Sequence, residues 1–282
     1  MSVLLHLSDT HFGTEQPQVV EALVTLAAQQ RPDVVVLSGD ITQRASPAQF
    51  RAAKAFVDRL GAPVLAIPGN HDIPLFDLWA RLTRPYAGFA SVFGADLEPV
   101  YSAPDGLVLG VNTTRAWRHR HGQVSGAQMA RVARLLAAAK PDQLRVVVVH
   151  QPLAVADASE SVHLLRGHAR AAQLWAQAGA DLVLGGHIHL PFTLPLPGLA
   201  RHLWVVQAGT AVSGRTRLGV PNSVNLLRWG HAVNPPQAVS RNRAEGTIGC
   251  TIERWDFAAD QQAFVRTTVK AVTFERAHAT PS

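Results

Sequence analysis

Short apolar runs alternate with segments of helical spacing along most of this sequence. The apolar runs are residues 3–8, 33–38, 63–67, 106–112, 144–149 and 181–184, and helical spacing is found at 17–30, 47–60, 125–140 and 167–178. This alternation predicts a parallel β-sheet with helices packed on its faces. Ligands of such sheets bind at the carboxyl ends of the strands. Polar residues that follow the apolar runs are therefore the first candidates for function.

Five polar blocks follow these runs: Asp9-Thr10-His11, Gly39-Asp40, Gly69-Asn70-His71-Asp72, His150 and Gly186-His187-Ile188-His189. Residues two apart at a strand end project to the same side, so the first and last blocks can each present two ligands to one ion. Carboxylate, imidazole and amide donors together suit Mn, Fe or Zn. The candidates are too many for one tetrahedral ion, and two ions that share a carboxylate would use them well. The candidate metal ligands are Asp9, His11, Asp40, Asn70, His150, His187 and His189.

The ordered blocks resemble those of the calcineurin-like metallophosphoesterases across residues 9–189. The resemblance implies an α/β fold, a four-layer α/β/β/α sandwich of two mixed β-sheets, whereas spacing alone predicts only a helix-covered sheet. It implies a metal-dependent phosphoric ester hydrolase, in which a hydroxide that bridges two ions attacks phosphorus in line. It assigns Asp9, His11, Asp40 and His189 to the first ion. It assigns Asp40, Asn70, His150 and His187 to the second.

The same resemblance gives the histidine of the Gly-Asn-His block a catalytic role. His71 would face the substrate and stabilise or protonate the leaving oxygen. Asp72 would orient His71 or support the ligands from outside the first coordination sphere. Hydrolases of UDP-diacylglucosamine usually carry arginine where this chain has His71, so His71 argues against that branch.

Weaker signals are similar to segments of class III cyclic-nucleotide phosphodiesterases and related glycerophosphodiesterases. These segments are Asn112-Thr113-Thr114-Arg115, Gly122-Gln123-Val124-Ser125, Gly209-Thr210-Ala211 and Pro221-Asn222-Ser223. We therefore expect a phosphodiesterase that acts on a small phosphodiester, and a 3',5'-cyclic nucleotide is the first candidate substrate. The alternatives are a glycerophosphodiesterase or broad-specificity phosphoesterase, then a nuclease, then a scaffold without catalysis.

Several basic side chains outside the blocks are candidates for substrate contacts. Arg115, His168 and Arg215 are the predicted substrate-binding residues, and His163 is considered with His168 because both flank a predicted helix start. His119 and His121 lie in a basic loop that could line the cleft. For each arginine, an ordinary surface position remains the alternative interpretation.

Charge and cysteine content limit the partners and the location. The formal net charge is +6, carried almost entirely by arginine, which permits an anionic substrate. The arginines are dispersed, so the sequence does not predict a nucleic-acid partner. The single cysteine, Cys250, excludes an internal disulfide and a thiolate metal cage, and favours a reducing, cytoplasmic location. No long apolar run or signal-peptide pattern is present, and a homo-oligomer is left open.

Residues 234–246 are rich in proline and arginine and are predicted to form a connector. The residues that follow them are predicted to form β-strands. We expect a catalytic domain at 1–233 and a β-rich C-terminal appendage at 234–282, packed on the same domain. The appendage would hold a hairpin that turns at Asp260-Gln261. In its second strand, the alternation predicts Val265, Thr267, Val269 and Ala271 on one face. The last residues are expected to fray.

Overall fold

A computed structural model describes residues 1–118, 120–231 and 247–275. The strands are β1 (Ser2–Leu7), β2 (Val34–Leu37), β3 (Val64–Ala66), β4 (Val100–Ala103), β5 (Gly106–Gly110), β6 (Leu144–Val148), β7 (Leu182–Gly185), β8 (Phe192–Pro195), β9 (Trp204–Gln207), β10 (Ser223–His231), β11 (Thr247–Ala258) and β12 (Ala263–Glu275). The helices are α1 (Pro17–Gln30), α2 (Pro47–Val57), α3 (Leu78–Thr83), α4 (Ala87–Phe93), α5 (Gly126–Ala137) and α6 (His168–Gln177).

The strands form two six-stranded mixed sheets within the described residues. The first has the order β12-β11-β10-β1-β2-β3 and the second β4-β5-β6-β7-β9-β8. Strands β1, β2 and β3 run parallel, as do β5, β6, β7 and β9, while the outer strands pair antiparallel. The four parallel strands of the second sheet therefore point their carboxyl ends to one edge, and the site described below lies there.

Alternating residues of the strands divide the apolar core into layers. In β1, Leu5 packs into a cluster with residues of α1 and α2, whereas Leu4 packs between the two sheets. In β6, Val147 faces α5 and α6, whereas Val146 faces the first sheet. Helices thus cover both outer faces, and the predicted four-layer α/β/β/α sandwich of two mixed sheets is confirmed.

The helix starts follow from local capping. Ser46 lies before Pro47, and its hydroxyl accepts a hydrogen bond from the backbone N–H of Gln49. Ser125 does the same for Gln128, whose side chain in turn accepts from the backbone of Ser125. Both helices accordingly begin where the sequence predicts.

One segment differs from its sequence pattern. The prolines of residues 191–198 favour a loop, but β8 pairs antiparallel with β9 at the edge of the second sheet. Pro195 ends this strand, and an edge position tolerates its missing N–H. Residues 74–100, whose mixed pattern indicates partly helical and partly looped structure, contain the short helices α3 and α4 before the edge strand β4 begins.

The C-terminal strands continue the first sheet. Strand β11 pairs with β10, and the β11–β12 hairpin turns at residues 259–262, where the N–H of Gln261 bonds the carbonyl of Ala258. The predicted connector at 234–246, the predicted fraying of the last residues and His119 lie outside the described residues.

No helix in residues 1–118, 120–231 and 247–275 is both long and apolar enough to cross a membrane.

Candidate metal centre

All five polar blocks meet at the carboxyl ends of the parallel strands. Asp9 and His11 follow β1, Asp40 follows β2, His150 follows β6, and His187 follows β7. The two sheets contact each other here, since Nε2 of His150 lies 3.2 Å from Oδ1 of Asp40. The structure therefore brings together the seven candidate metal ligands of the sequence.

The first cluster contains Asp9, His11 and His189. Nε2 of His189 lies 3.2 Å from Oδ1 of Asp9 and 3.2 Å from Nε2 of His11. Nε2 of His11 also lies 3.7 Å from Oδ2 of Asp40. These ligand atoms are close enough to one another to hold a single ion, with Asp40 at the edge of the cluster.

The second cluster contains Asp40, His150 and His187. Asn70 joins it, because Oδ1 of Asn70 lies 3.3 Å from Nε2 of His150. Nδ1 of His187 is buried and has no hydrogen-bond partner among the described residues. Asp40 also belongs to a third group, with His11 and His71, so its carboxylate lies between the first cluster and the second.

The hydrogen bonds of the histidines indicate that a cation, either a proton or a metal ion, lies between the ligand atoms of each cluster. Nδ1 of His189 lies 2.6 Å from the carbonyl of Arg215 and donates to it, so a neutral His189 turns a lone pair toward Asp9. Oδ1 of Asp9 is buried without a hydrogen-bond donor among the described residues. Two acceptors 3.2 Å apart repel each other unless a proton or a metal ion lies between them. The donor set thus fits a metal ion.

The second cluster also requires a cation between two of its ligand atoms. Nδ1 of His150 donates to the carbonyl of Ser38 at 2.9 Å, which directs Nε2 at Asp40. Burial lowers the pKa of His150, but the charge and hydrogen bond of Asp40, together with the charge of Asp9 and the hydrogen bond to Ser38, raise it to about 9. In the metal-free protein a proton therefore holds the position between these two ligand atoms.

The backbone is strained at this edge. Asp9, His11, Asp40, His187 and His189 all have positive φ, between 41° and 73°. Such conformations cost roughly 1–3 kcal/mol each for residues other than glycine and persist where surrounding structure enforces them, often at functional sites. The strain turns successive side chains of the loops toward the same point.

Two glycines allow the blocks to approach one another. A Cβ at position 69 would overlap the backbone nitrogen and carboxylate of Asp40. A Cβ at position 186 would overlap the hydroxyl of Ser8 and come within 2.6 Å of Oδ2 of Asp9. The glycines of the blocks are therefore required by close contact with the candidate ligands.

Asp72 supports the centre from behind and does not enter it. Its carboxylate accepts hydrogen bonds from the N–H groups of Ile41, Thr42 and Gly69 at 2.8–3.1 Å, and from the Thr42 hydroxyl at 2.9 Å. Burial raises the pKa of Asp72 to about 6, with a further contribution from the charge of Asp40. Asp72 thus fastens the loop after β2 to the loop after β3.

His71 lies beside the ligands, at the open side of the centre. Its backbone N–H donates to Oδ1 of Asp40 at 2.8 Å, and its Nδ1 donates to the carbonyl of Gln43 at 3.0 Å. Nη1 of Arg215 lies 3.3 Å from Nε2 of His71 and 3.0 Å from Oε1 of Gln43. Arg215 also lines an open groove formed by residues 187–189 and 215–217. Of the three predicted substrate-binding residues, Arg215 is the one placed against the centre.

The other two predicted substrate-binding residues lie elsewhere. Arg115 donates to the carbonyls of Asn112 and Thr114 at 3.1 and 2.7 Å, and to the Gln128 side chain at 2.6 Å, so it holds its own loop. His168 begins α6, and its Nδ1 bonds the carbonyl of Leu165. It lines a separate open groove between residues 121–124 and 161–168.

His163 contacts a candidate ligand, a contact that the sequence did not single out. It ends a 3₁₀ turn, Ala158–His163, and its Nδ1 lies 3.3 Å from Nε2 of His187. The signal available in the sequence was only its position between two predicted elements. Its neighbour in space is 24 residues away along the chain.

Comparison with known proteins agrees with this geometry. The family model of the calcineurin-like phosphoesterases matches residues 2–191. A cAMP/cGMP dual specificity phosphodiesterase of Mycobacterium tuberculosis is 29% identical over 235 residues, which cover 76% of this chain and 71% of the relative. The glycerophosphodiester phosphodiesterase GpdQ of Enterobacter lignolyticus is 35% identical over 81 residues, which cover 25% of this chain and 29% of that protein.

A solved structure shows the same fold. A dimetal phosphatase from Danio rerio superimposes with a TM-score of 0.63, covering 98% of this chain and 99% of that one, at 14% sequence identity. At that identity the likeness concerns the fold alone. The family match, in contrast, covers most of the chain and contains all five blocks. The chain therefore belongs to the calcineurin-like phosphoesterases, a family of metal-dependent enzymes, as the ordered blocks predicted.

Proposed function

We propose that this protein is a phosphodiesterase with two metal ions, acting on a small phosphodiester and most readily on a 3',5'-cyclic nucleotide. The observation that carries the proposal is the position of the Asp40 carboxylate, 3.7 Å from Nε2 of His11 and 3.2 Å from Nε2 of His150, with His71 and Arg215 side by side at the open face. Asp9, His11, Asp40 and His189 would hold the first ion. Asp40, Asn70, His150 and His187 would hold the second.

When bound, such a pair of ions supplies Lewis acidity and an activated water for in-line displacement at phosphorus. The Mn, Fe or Zn preference follows from the mixed nitrogen and oxygen donors. Side chains of the protein would bind the substrate and stabilise the leaving group. Arg215 would bind a nonbridging phosphate oxygen, since a guanidinium can donate two hydrogen bonds to it. His71 would face the leaving oxygen and stabilise or protonate it.

The substrate class rests on charge and on the relatives. The groove at the centre presents the side chain of Arg215 beside those of His187 and His189, which suits an anionic diester, while Arg217 is paired with Glu160. The relative from Mycobacterium tuberculosis is named for cAMP and cGMP. In this proposal residues 1–233 form the catalytic domain and the C-terminal strands extend its sheet. A cytoplasmic location belongs to the proposal because the single cysteine favours it.

A glycerophosphodiester is the second candidate substrate. The similarity to GpdQ favours it, although that similarity covers 25% of this chain. Both substrates place a diester phosphate between two alcohols, so the same groups would act on either.

A substrate panel tests the proposal. Purified protein supplemented with Mn²⁺ would be assayed with 3',5'-cAMP, 3',5'-cGMP, glycerophosphocholine, an aryl phosphomonoester, an aryl phosphodiester and DNA. Metal content would be measured on the same preparation. We expect two ions per chain and the highest kcat/KM on a cyclic nucleotide. Preference for the glycerophosphodiester selects the second candidate, and absence of any diesterase activity with both ions bound refutes the proposed function.

A further inference from the structure

The turn Ala158–His163 places a third imidazole against the second cluster. The rings of His163 and His187 are 5.3 Å apart between centroids and inclined by 66°, so they meet edge to face. The contact joins Nδ1 of His163 to Nε2 of His187 at 3.3 Å. The side chain of His163 is 28% exposed, so it lies at the surface of the centre rather than inside it.

His163 is itself held by two charged residues. Oε2 of Glu160 lies 3.7 Å from Nε2 of His163. Arg217 donates to both oxygens of Glu160, at 2.8 and 2.7 Å, and its Nη1 also lies 3.2 Å from the carbonyl of Ile188. Ile188 stands between His187 and His189 in the chain. The series Arg217–Glu160–His163 therefore starts and ends at the same ligand loop, which fixes the turn against it.

One arrangement of protons satisfies the whole series. The negative charge of Glu160 favours the proton of His163 on Nε2, which leaves a lone pair on Nδ1. That lone pair can accept the Nε2–H of His187. His187 then carries its own lone pair on Nδ1, the atom that is buried without a hydrogen-bond partner among the described residues.

We propose that His163, oriented by Glu160 and Arg217, is a positioning residue that fixes the tautomer of His187 and presents Nδ1 of His187 to the second metal ion. This inference rests on the two-ion centre of the proposed function. Groups that donate or accept at the far nitrogen of a ligating histidine typically change metal affinity by about 10–100-fold when removed. His163 acts through His187 and contacts neither ion.

A matched pair of variants tests the hydrogen bond. In His163→Asn the amide oxygen can take the place of Nδ1 and accept from His187, whereas His163→Leu has nearly the same volume and no acceptor. Titration calorimetry with Mn²⁺ would measure both affinities in the absence of substrate. The visible absorption of the Co²⁺-loaded protein would report the coordination of the second ion. Thermal unfolding in EDTA would verify that both variants fold.

The expected result is a loss of about 10–100-fold in affinity for the second ion in His163→Leu, with a changed Co²⁺ spectrum, and near wild-type values in His163→Asn. Equal affinity in wild type and His163→Leu would overturn the inference, as would equal losses in the two variants. If His163→Leu does not fold, Glu160→Gln takes its place and should also lower the affinity for the second ion. A wild-type protein that binds one ion also overturns it. Failure of the diesterase panel with two ions bound refutes the proposed substrate and leaves this test intact.

Discussion

Nη1 of Arg215 lies 3.3 Å from Nε2 of His71. A guanidinium only donates hydrogen bonds, so Nε2 of His71 accepts here. Nδ1 of His71 faces the carbonyl of Gln43 and therefore carries the proton. This geometry places a proton on Nδ1 of His71 and turns the lone pair of Nε2 toward the guanidinium of Arg215. A phosphate oxygen that enters the groove can accept a hydrogen bond from Arg215, whereas Nε2 of His71 can donate to the leaving oxygen only once it carries a proton.

His71→Ala is expected to lower kcat by about 10²–10⁴-fold, the usual contribution of a general acid or base. Metal content should not change, because the side chain of His71 is assigned to the substrate and not to either ion. Rates on the preferred diester and elemental analysis of the same sample would measure both quantities. Loss of metal from His71→Ala would show that our assignment of this residue is wrong.

Asp40→Asn is expected to remove metal and activity together. Asp40 lies within ligand distance of His11 on one side and His150 on the other, so it serves both clusters. Replacing its carboxylate also removes the charge that raises the pKa of His150. Elemental analysis after dialysis should find both ions reduced. Full metal content in Asp40→Asn would argue against a shared carboxylate.

Arg215→Met and Arg115→Met form a matched pair of arginine variants. Arg215 faces the centre, so its loss should raise KM and lower kcat/KM by about 10–100-fold, consistent with about 1.5–3 kcal/mol for a charged hydrogen bond. Metal affinity should stay equal or increase, because a cation 3.3 Å from His11 opposes the binding of another cation. Steady-state kinetics and Mn²⁺ titration would test these expectations.

Arg115→Met should change the stability of the protein and leave its kinetics unchanged. Its hydrogen bonds join residues 112–114 to the start of α5, so its removal should lower the free energy of unfolding by about 1–3 kcal/mol. KM should remain near the wild-type value. A large increase of KM in Arg115→Met, with none in Arg215→Met, would reverse the roles given to the two residues.

The fold and the convergence of the blocks could be predicted because both depend on local pattern. Strand and helix periods are visible in the sequence, and the carboxyl ends of parallel strands must share an edge. The face assignment in β12 was less successful. Phe264 packs toward the helices, whereas Val272 and Phe274, of the same parity, pack between the sheets.

A β-bulge explains this difference. The register of β11 and β12 shifts between Arg254 and Trp255, so Thr267 is skipped in the pairing. An extra residue exchanges the two faces of the strand beyond it. Val269, which the alternation places on the same face as Val265, is 55% exposed. Alternation in a sequence cannot locate a bulge, because the bulge depends on the partner strand.

The supporting contacts of the site could not be predicted for a related reason. Arg115 and Arg215 are equivalent as sequence signals, since each is an arginine in a polar loop. Their roles separate only when long-range contacts are known: Arg115 bonds Gln128, and Arg215 bonds His71 across 144 residues. The block residues were recognisable because each directly follows its own strand.

The last prediction concerns the stability of the metal-free protein in acid. His6 is buried inside β1, with its ring nitrogens 2.9 Å from the Ser38 hydroxyl and 3.3 Å from Asn225. Burial lowers its pKa from 6.5 to about 3, although the charge of Asp9 opposes this shift. The unfolded chain therefore binds a proton at this position below pH 6.5, while the folded protein does not until about pH 3.

Stability contributed by neutral His6 is thus present above pH 6.5 and lost as the pH falls toward 3. His6→Gln removes this titration. In EDTA, the urea-unfolding free energy of wild type should fall more steeply between pH 6 and pH 4 than that of His6→Gln, by up to about 1.4 kcal/mol per pH unit. Both proteins retain the other buried histidines, so the contributions of those residues to the pH dependence cancel in the difference between the two curves. Parallel curves for the two proteins would show that His6 is protonated equally in the folded and unfolded states.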